Sequence, residues 1–227
     1  MTFKYNEIVP WGRNFDEYKR MFNLTEDELK LKILGCGDGP ASFNVECNQA
    51  GGNVISIDPV YNMTKEQIQQ RIDETCMDVL SQTASNREKF VWNAIRSVED
   101  LGRIRMGAMK IFLESYDRGK ATKKYIPGGF PDLPFENHTF DLALSSHFLF
   151  LYTDNLTYDF HVQAMSEMLR VAKEARIFPL LDFNAKRSSY VEGILRDFKD
   201  RDIEIRKVDY EFQVGGNEVL IIRNKTL

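Results

Sequence analysis

The stretch Lys32-Ile33-Leu34-Gly35-Cys36-Gly37-Asp38-Gly39-Pro40 limits the folds open to this chain more than any other. A short apolar run enters a turn with glycine at 35, 37 and 39. Glycine lets a chain turn tightly and lets backbone N–H groups approach a ligand. A second apolar run, Val54-Ile55-Ser56-Ile57, ends in Asp58-Pro59. Two strands joined by a helix, with an acid closing the second strand, open a nucleotide-binding α/β unit. The acid there can accept hydrogen bonds from a ribose diol. The dinucleotide fingerprint needs glycine at the first, third and sixth positions of the turn. Counted from Gly35, the sixth is Pro40, which disfavours an NAD-dependent oxidoreductase.

Apolar spacing orders the rest of the chain. Residues 1–30 precede the first strand as a helical cover. Phe15, Tyr18 and Met21/Phe22 share a helical face, and Thr25-Glu26-Asp27-Glu28 is a capping-box pattern. Strand 1 is expected over 31–35, a helix over 41–51 and strand 2 over 53–57. Residues 62–127 read as a helical insertion placed to act as a lid, because chain leaving strand 2 emerges on the ligand side of such a sheet. Thr64 and Ser97 are expected caps within it, and the box at Ser85-Asn86-Arg87-Glu88 predicts another helix through Phe90, Trp92 and Ile95. A short strand 3 falls at 125–127 and strand 4 at 142–146. Asp154 or Thr157 caps the following helix. Strand 5 is expected over 176–182, with Pro179 awkward inside it. Strand 6 runs over 203–212 and strand 7 over 218–223. The short link 213–217 suggests a hairpin, hence an antiparallel final pair on a mostly parallel sheet.

Composition narrows the function classes. The 227 residues carry 30 basic and 34 acidic side chains, a net charge of −4 that offers no platform for nucleic acid. The three cysteines, Cys36, Cys47 and Cys76, have neither metal-ligand nor disulfide spacing. No metal is expected. The N-terminus lacks an apolar signal region and no run approaches a membrane span, so no membrane association and a cytoplasmic location are expected. Nothing in the residues speaks to oligomeric state.

Leu34-Gly35-Cys36-Gly37-Asp38-Gly39 resembles motif I of the class I S-adenosylmethionine (SAM) dependent methyltransferases, and Ile57-Asp58 resembles their strand 2 end. Leu133-Pro134-Phe135 through Phe140-Asp141-Leu142-Ala143 looks like their approach to strand 4, and Met168-Leu169-Arg170-Val171 like their approach to strand 5. Val9-Pro10-Trp11-Gly12-Arg13, Ser146-His147-Phe148 and Phe178-Pro179-Leu180 are similar to a narrower, mostly bacterial group known only as SAM-dependent methyltransferases or uncharacterised proteins. The resemblance spans most of the chain. It departs from the wider pattern in three places. Gly129 or Phe130 stands where an acid usually precedes the Leu-Pro-Phe, Glu174-Ala175 replaces a glycine pair, and the insertion is long.

The resemblance implies a Rossmann-like seven-stranded α/β sheet with an antiparallel last strand and a helical insertion after strand 2. It also implies SAM as cofactor and S-adenosylhomocysteine as product. Gly35, Cys36 and Gly37 would approach the amino-acid and ribose portion, with Asp58 on the ribose hydroxyls and Pro59 beside it. Asp38 would either favour the sulfonium electrostatically or cap the first helix. Arg13 is a candidate for the methionine carboxylate, since its guanidinium presents a matching fork. Phe130 would contact adenine, and Ser145 lies where strand 4 should meet cofactor or substrate. Tyr61 is a further neighbour of the adenosine. On the acceptor side stand Trp11, Tyr152 and Asp154, with His147 as the candidate general base. A small-molecule acceptor is expected, a protein acceptor is second choice, and a noncatalytic SAM-binding protein is the alternative from another class.

Overall fold

A computed structural model describes residues 9–225. The first eight residues of the expected N-terminal cover therefore lie outside the described residues. Seven strands form one sheet: β1 (Lys32–Cys36), β2 (Asn53–Asp58), β3 (Tyr125–Pro127), β4 (Phe140–Ser146), β5 (Ala172–Phe178), β6 (Asp202–Lys207) and β7 (Glu218–Arg223). Their order is β3-β2-β1-β4-β5-β7-β6. The pairs from β3 to β5 are parallel, and β7 runs antiparallel to both β5 and β6. The strand order turns back at β1, which lies between β2 and β4, and such a switch opens a crevice at the carboxyl ends of the strands.

Both sheet faces are covered, which is why the central strands read as continuous apolar runs rather than alternating ones. Leu34, Ala143, Ile177 and Leu220 pack into one core beneath α5 (Tyr158–Val171) and α6 (Val191–Asp197). Ile33, Leu142, Leu144 and Ile221 pack into the other, with α1 (Phe15–Met21) and α2 (Phe43–Gln49). Tyr18 and Phe43 stack there with centroids 4.3 Å apart.

The insertion holds two long helices, α3 (Lys65–Ser85) and α4 (Val98–Ala121). Thr64 and Gln67 exchange the bonds of a capping box, Ser97 caps α4 and Thr157 caps α5. Tyr116 of α4 donates its hydroxyl to the carbonyls of Tyr61 (3.0 Å) and Met63 (2.9 Å), which ties α4 to the turn after β2. Among the described residues no helix is long and apolar enough to cross a membrane.

Four expectations need correction. Residues 90–96 are not helical: Arg87–Lys89 is a single 3₁₀ turn, and Phe90 then bridges antiparallel to Gln213. The Phe90 ring packs tilted against Phe212, so contacts with the far edge of the molecule replace helix formation. Strand 5 begins at Ala172, directly after α5, and ends at Phe178, so Pro179 lies outside it. Strand 6 stops at Lys207 because the chain leaves the sheet to reach α1 and the Phe90 segment; Tyr210 bonds Glu17. The β6–β7 connection is consequently ten residues, 208–217, although the two strands do pair antiparallel.

The N-terminal segment is latched onto the glycine turn. A Cβ added to Gly12 would stand 2.1 Å from the Pro40 carbonyl oxygen, and Ser42 donates its backbone N–H to the Arg13 carbonyl at 3.0 Å. Gly12→Ala is therefore expected to cost about 1–3 kcal/mol in urea unfolding, since backbone has to move to admit the methyl. Wild-type stability in that variant would show that the segment does not pack so closely.

Candidate functional site

A cavity of about 420 Å³ opens at the carboxyl ends of β1, β2 and β4. The 9–13 segment, the glycine turn, the Asp58–Val60 turn, residues 129–133, the 146–160 stretch, and Met63 and Arg71 from the insertion all contribute to its lining. Most of that lining is apolar, with few polar groups converging on it, the usual character of a small-ligand site.

Asp58 ends β2 and begins the next turn. Its two carboxylate oxygens accept the backbone N–H groups of Gly39 and Val60, each at 2.8 Å. The acid thus caps the turn after β2 and braces the glycine turn in one arrangement. A carboxylate has about four acceptor positions, so roughly half remain for a ligand. Asp38 lies deeper. It accepts the Tyr18 hydroxyl at 2.8 Å and the Ser56 hydroxyl at 2.5 Å. It does not cap α2, whose N-cap residue is Ser42.

Gly35 explains how Asp38 fits. A Cβ on Gly35 would lie 1.7 Å from an Asp38 carboxylate oxygen, so the strand must be bare there for the acid to fold back on it. Burial raises both acids from the ordinary 3.8 to about 6, against the hydrogen bonds each accepts; for Asp38 the nearby Asp58 adds to the rise. Folded values above the unfolded one mean that these groups favour the fold fully below 3.8 and lose that contribution as pH rises through about 6. Two acids are thus kept ionised at neutral pH at some expense in stability, as functional sites often require.

Arg13 precedes Asn14, which caps α1. Its Nη1 donates to the Trp11 carbonyl at 2.7 Å, and its buried Nε has no partner. Burial, with Arg105 adding to it, lowers its pKa to about 10. His147 follows the last residue of β4, and its Nδ1 lies 2.9 Å from the Ser146 hydroxyl. Burial first, then the charges of Arg13 and Arg105, push its pKa well below the ordinary range, so the ring is neutral at pH 7. The Tyr152 hydroxyl accepts the Val9 N–H at 2.9 Å. Phe130 stacks on Phe148 with an interplanar angle of 10°.

Of the expected residues, Trp11, Arg13, Cys36, Gly37, Asp38, Asp58, Pro59, Phe130, His147 and Tyr152 line the cavity. Gly35, Ser145 and Asp154 are not among the lining residues. Gly35 lies beneath Asp38. Ser145 points to the opposite face of β4, where its hydroxyl is buried without a partner, and strand alternation turns Ser146 to the cavity instead. Asp154 is exposed. Tyr61 is fully buried, donates to the Gly39 carbonyl at 2.8 Å and packs among Phe112, Tyr116 and Tyr125 rather than lining the cavity. Sequence reasoning missed Tyr18, Ser146, Phe148, Phe160, Met63 and Arg71 as lining residues. Only Ser146 had a local signal, the two-residue period of β4.

Behind Arg13 lies a buried ion pair. Arg105 of α4 donates through Nη1 to both oxygens of Glu17 in α1, at 2.6 and 2.5 Å. The Tyr210 hydroxyl also donates to Glu17, at 2.9 Å.

No protein-family model matches the chain. It is 39% identical over 219 residues to an uncharacterized protein of the archaeon Methanocaldococcus jannaschii, with 96% of each chain covered. Its course is similar to that of a magnesium protoporphyrin IX methyltransferase from Synechocystis PCC 6803 solved with bound SAM. The identity there is 11%, with 93% of this chain and 91% of that one covered and a TM-score of 0.45. A SAM-dependent methyltransferase from Methanosarcina mazei is similar at 14% identity and a TM-score of 0.45, covering 90% of this chain and 95% of that one. Structural likenesses of this size carry no argument about what the cavity binds.

Proposed function

We propose that the cavity of this chain, which belongs to the same family as the Methanocaldococcus jannaschii protein, binds SAM and serves methyl transfer to a small molecule. The observation that carries this reading is the meeting of Asp58 with the Gly37–Gly39 turn at the edge of one cavity. An ionised carboxylate there accepts the two ribose hydroxyls on its remaining lone pairs. The backbone at Cys36 and Gly37 approaches the amino-acid and ribose portion. Ile57, Pro59 and Phe130 offer apolar surface for adenine. The cavity's size fits a nucleotide-like ligand.

Bound there, SAM supplies an electrophilic methyl carbon on a cationic sulfur. The chain's task is to align an acceptor in line with that carbon and exclude water. Trp11, Tyr152 and His147 form the acceptor wall. Neutral His147 can take the acceptor's proton as the methyl bond forms and the carbon–sulfur electron pair stays with sulfur, leaving S-adenosylhomocysteine. The α3–α4 insertion, through Met63 and Arg71, encloses the site from the β2 side.

Binding of S-adenosylhomocysteine should weaken as pH falls through about 6, the value to which burial raises Asp58, because the protonated acid turns one acceptor oxygen into a donor. About one unit below that value only about a tenth of the molecules carry the ionised acid, so affinity should drop by about tenfold. Asp58→Asn should flatten most of this dependence, and a flat wild-type profile would contradict the ribose role. Turnover is tested by incubating the protein with methyl-labelled SAM and fractionated metabolites. Transfer of label to a small molecule is expected, whereas tight binding without transfer to any fraction would leave a noncatalytic SAM-binding protein.

A further inference from the structure

We propose that the wall formed by Trp11, Arg13, His147 and Tyr152 takes a methyl acceptor bearing a carboxylate on a flat apolar skeleton, with the carboxylate paired to the Arg13 guanidinium. The proposal rests on the methyl-transfer reading and names the class of its substrate. Arg105 is almost fully buried, Arg13 is half-buried with its Nε shut off from solvent, and the charge of Glu17 acts on both. That carboxylate is engaged by Arg105 through both oxygens and by Tyr210. Arg13 keeps one bond, to the Trp11 carbonyl, and its buried Nε has no partner. Among the described residues no carboxylate pairs with it. His147 is held neutral and adds no further positive charge to this wall.

A buried N–H donor left without a partner is costly, and an entering carboxylate would relieve that cost. The guanidinium fork suits a planar acid, which it can bind through two parallel N–H donors. The rings of Trp11, whose carbonyl Arg13 bonds, and of Tyr152 line the same cavity. Their faces and edges complement a flat apolar skeleton. The His147 Nε2 and the Tyr152 hydroxyl proton, which the bonds to Ser146 and Val9 do not use, then orient the atom that receives the methyl group.

The carboxylate met by Arg13 has two sources, the acceptor and the amino-acid end of the cofactor. Calorimetry separates them with four probes: benzoate, its neutral counterpart benzamide, S-adenosylhomocysteine, and 5′-methylthioadenosine, which lacks the amino acid. Wild-type protein saturated with S-adenosylhomocysteine should bind benzoate more tightly than benzamide by about tenfold, the value of one net charge-assisted contact. Arg13→Gln should erase that preference while leaving S-adenosylhomocysteine affinity within about threefold of wild type. Arg13→Lys should retain part of the preference, because charge remains but the fork is lost. Equal binding of benzoate and benzamide to the wild type overturns the proposal, and this comparison needs no variant to fold. Loss of S-adenosylhomocysteine binding in Arg13→Gln with 5′-methylthioadenosine unaffected also overturns it, by assigning Arg13 to the cofactor. If S-adenosylhomocysteine fails to bind the wild type, the methyl-transfer reading falls. The benzoate preference of the free protein would then still test the acid subsite.

Discussion

Arg105→Ala is expected to destabilise the protein by about 3–5 kcal/mol in urea or thermal unfolding, because it leaves the Glu17 carboxylate buried without its cation. Both partners are almost fully buried, at 1% and 8% side-chain exposure, and Arg105 reaches both carboxylate oxygens. The pair joins α1 to α4, with Tyr210 from the β6–β7 connection as the third member. Removing one charge strands the other, whereas removing both does not. The double variant Glu17→Leu/Arg105→Met should therefore recover most of the loss, since a buried pair replaced by apolar residues of similar volume is often neutral. A loss below about 1 kcal/mol for Arg105→Ala would mean that the pair is hydrated and behaves like a surface contact.

Asp58→Ala should weaken S-adenosylhomocysteine by about 3–6 kcal/mol, the sum of two charge-assisted hydrogen bonds, which is more than about a hundredfold in affinity. The alanine also removes the acceptor of the Gly39 and Val60 N–H groups, so some loss of stability should accompany it. Asp58→Asn separates the two effects. It keeps one acceptor oxygen and a similar shape but loses the charge and one of the two backbone bonds, and should give intermediate binding with a smaller loss of stability than alanine. Unchanged affinity in Asp58→Ala would remove the acid from the ribose site and leave it as a turn cap alone.

Local patterns carried much of the architecture. Thr64, Ser97 and Thr157 announced their helices because a cap and its partner lie within one turn of each other. The glycine turn and Asp58 were legible for the same reason: each is a short-range requirement of the unit that contains it. What stayed hidden depends on contacts between distant parts of the chain. Glu17 and Arg105 are separated by 88 residues, and Tyr18 reaches Asp38 across 20. Gly12 is small because Pro40 lies over it, which no local pattern records. The 85–96 segment follows a capping-box pattern, yet Phe90 gains more from Phe212 and the Gln213 bridge than from another helical turn. Strand 5 was displaced because β5 follows α5 without a loop, so the helical period runs straight into the strand period at Val171–Ala172. The site was read with similar limits. Residues on the strand ends were foreseen, while Met63, Arg71, Phe148 and Phe160 reach the cavity from the insertion and the chain after β4.

The central claim is that the Gly37–Gly39 turn and Asp58 form a site for SAM. Calorimetric titration of the wild-type protein with S-adenosylhomocysteine and, separately, with NAD tests it most directly. The account predicts saturable binding of S-adenosylhomocysteine at one site per chain and no comparable binding of NAD. Saturable NAD binding with no response to S-adenosylhomocysteine would contradict it.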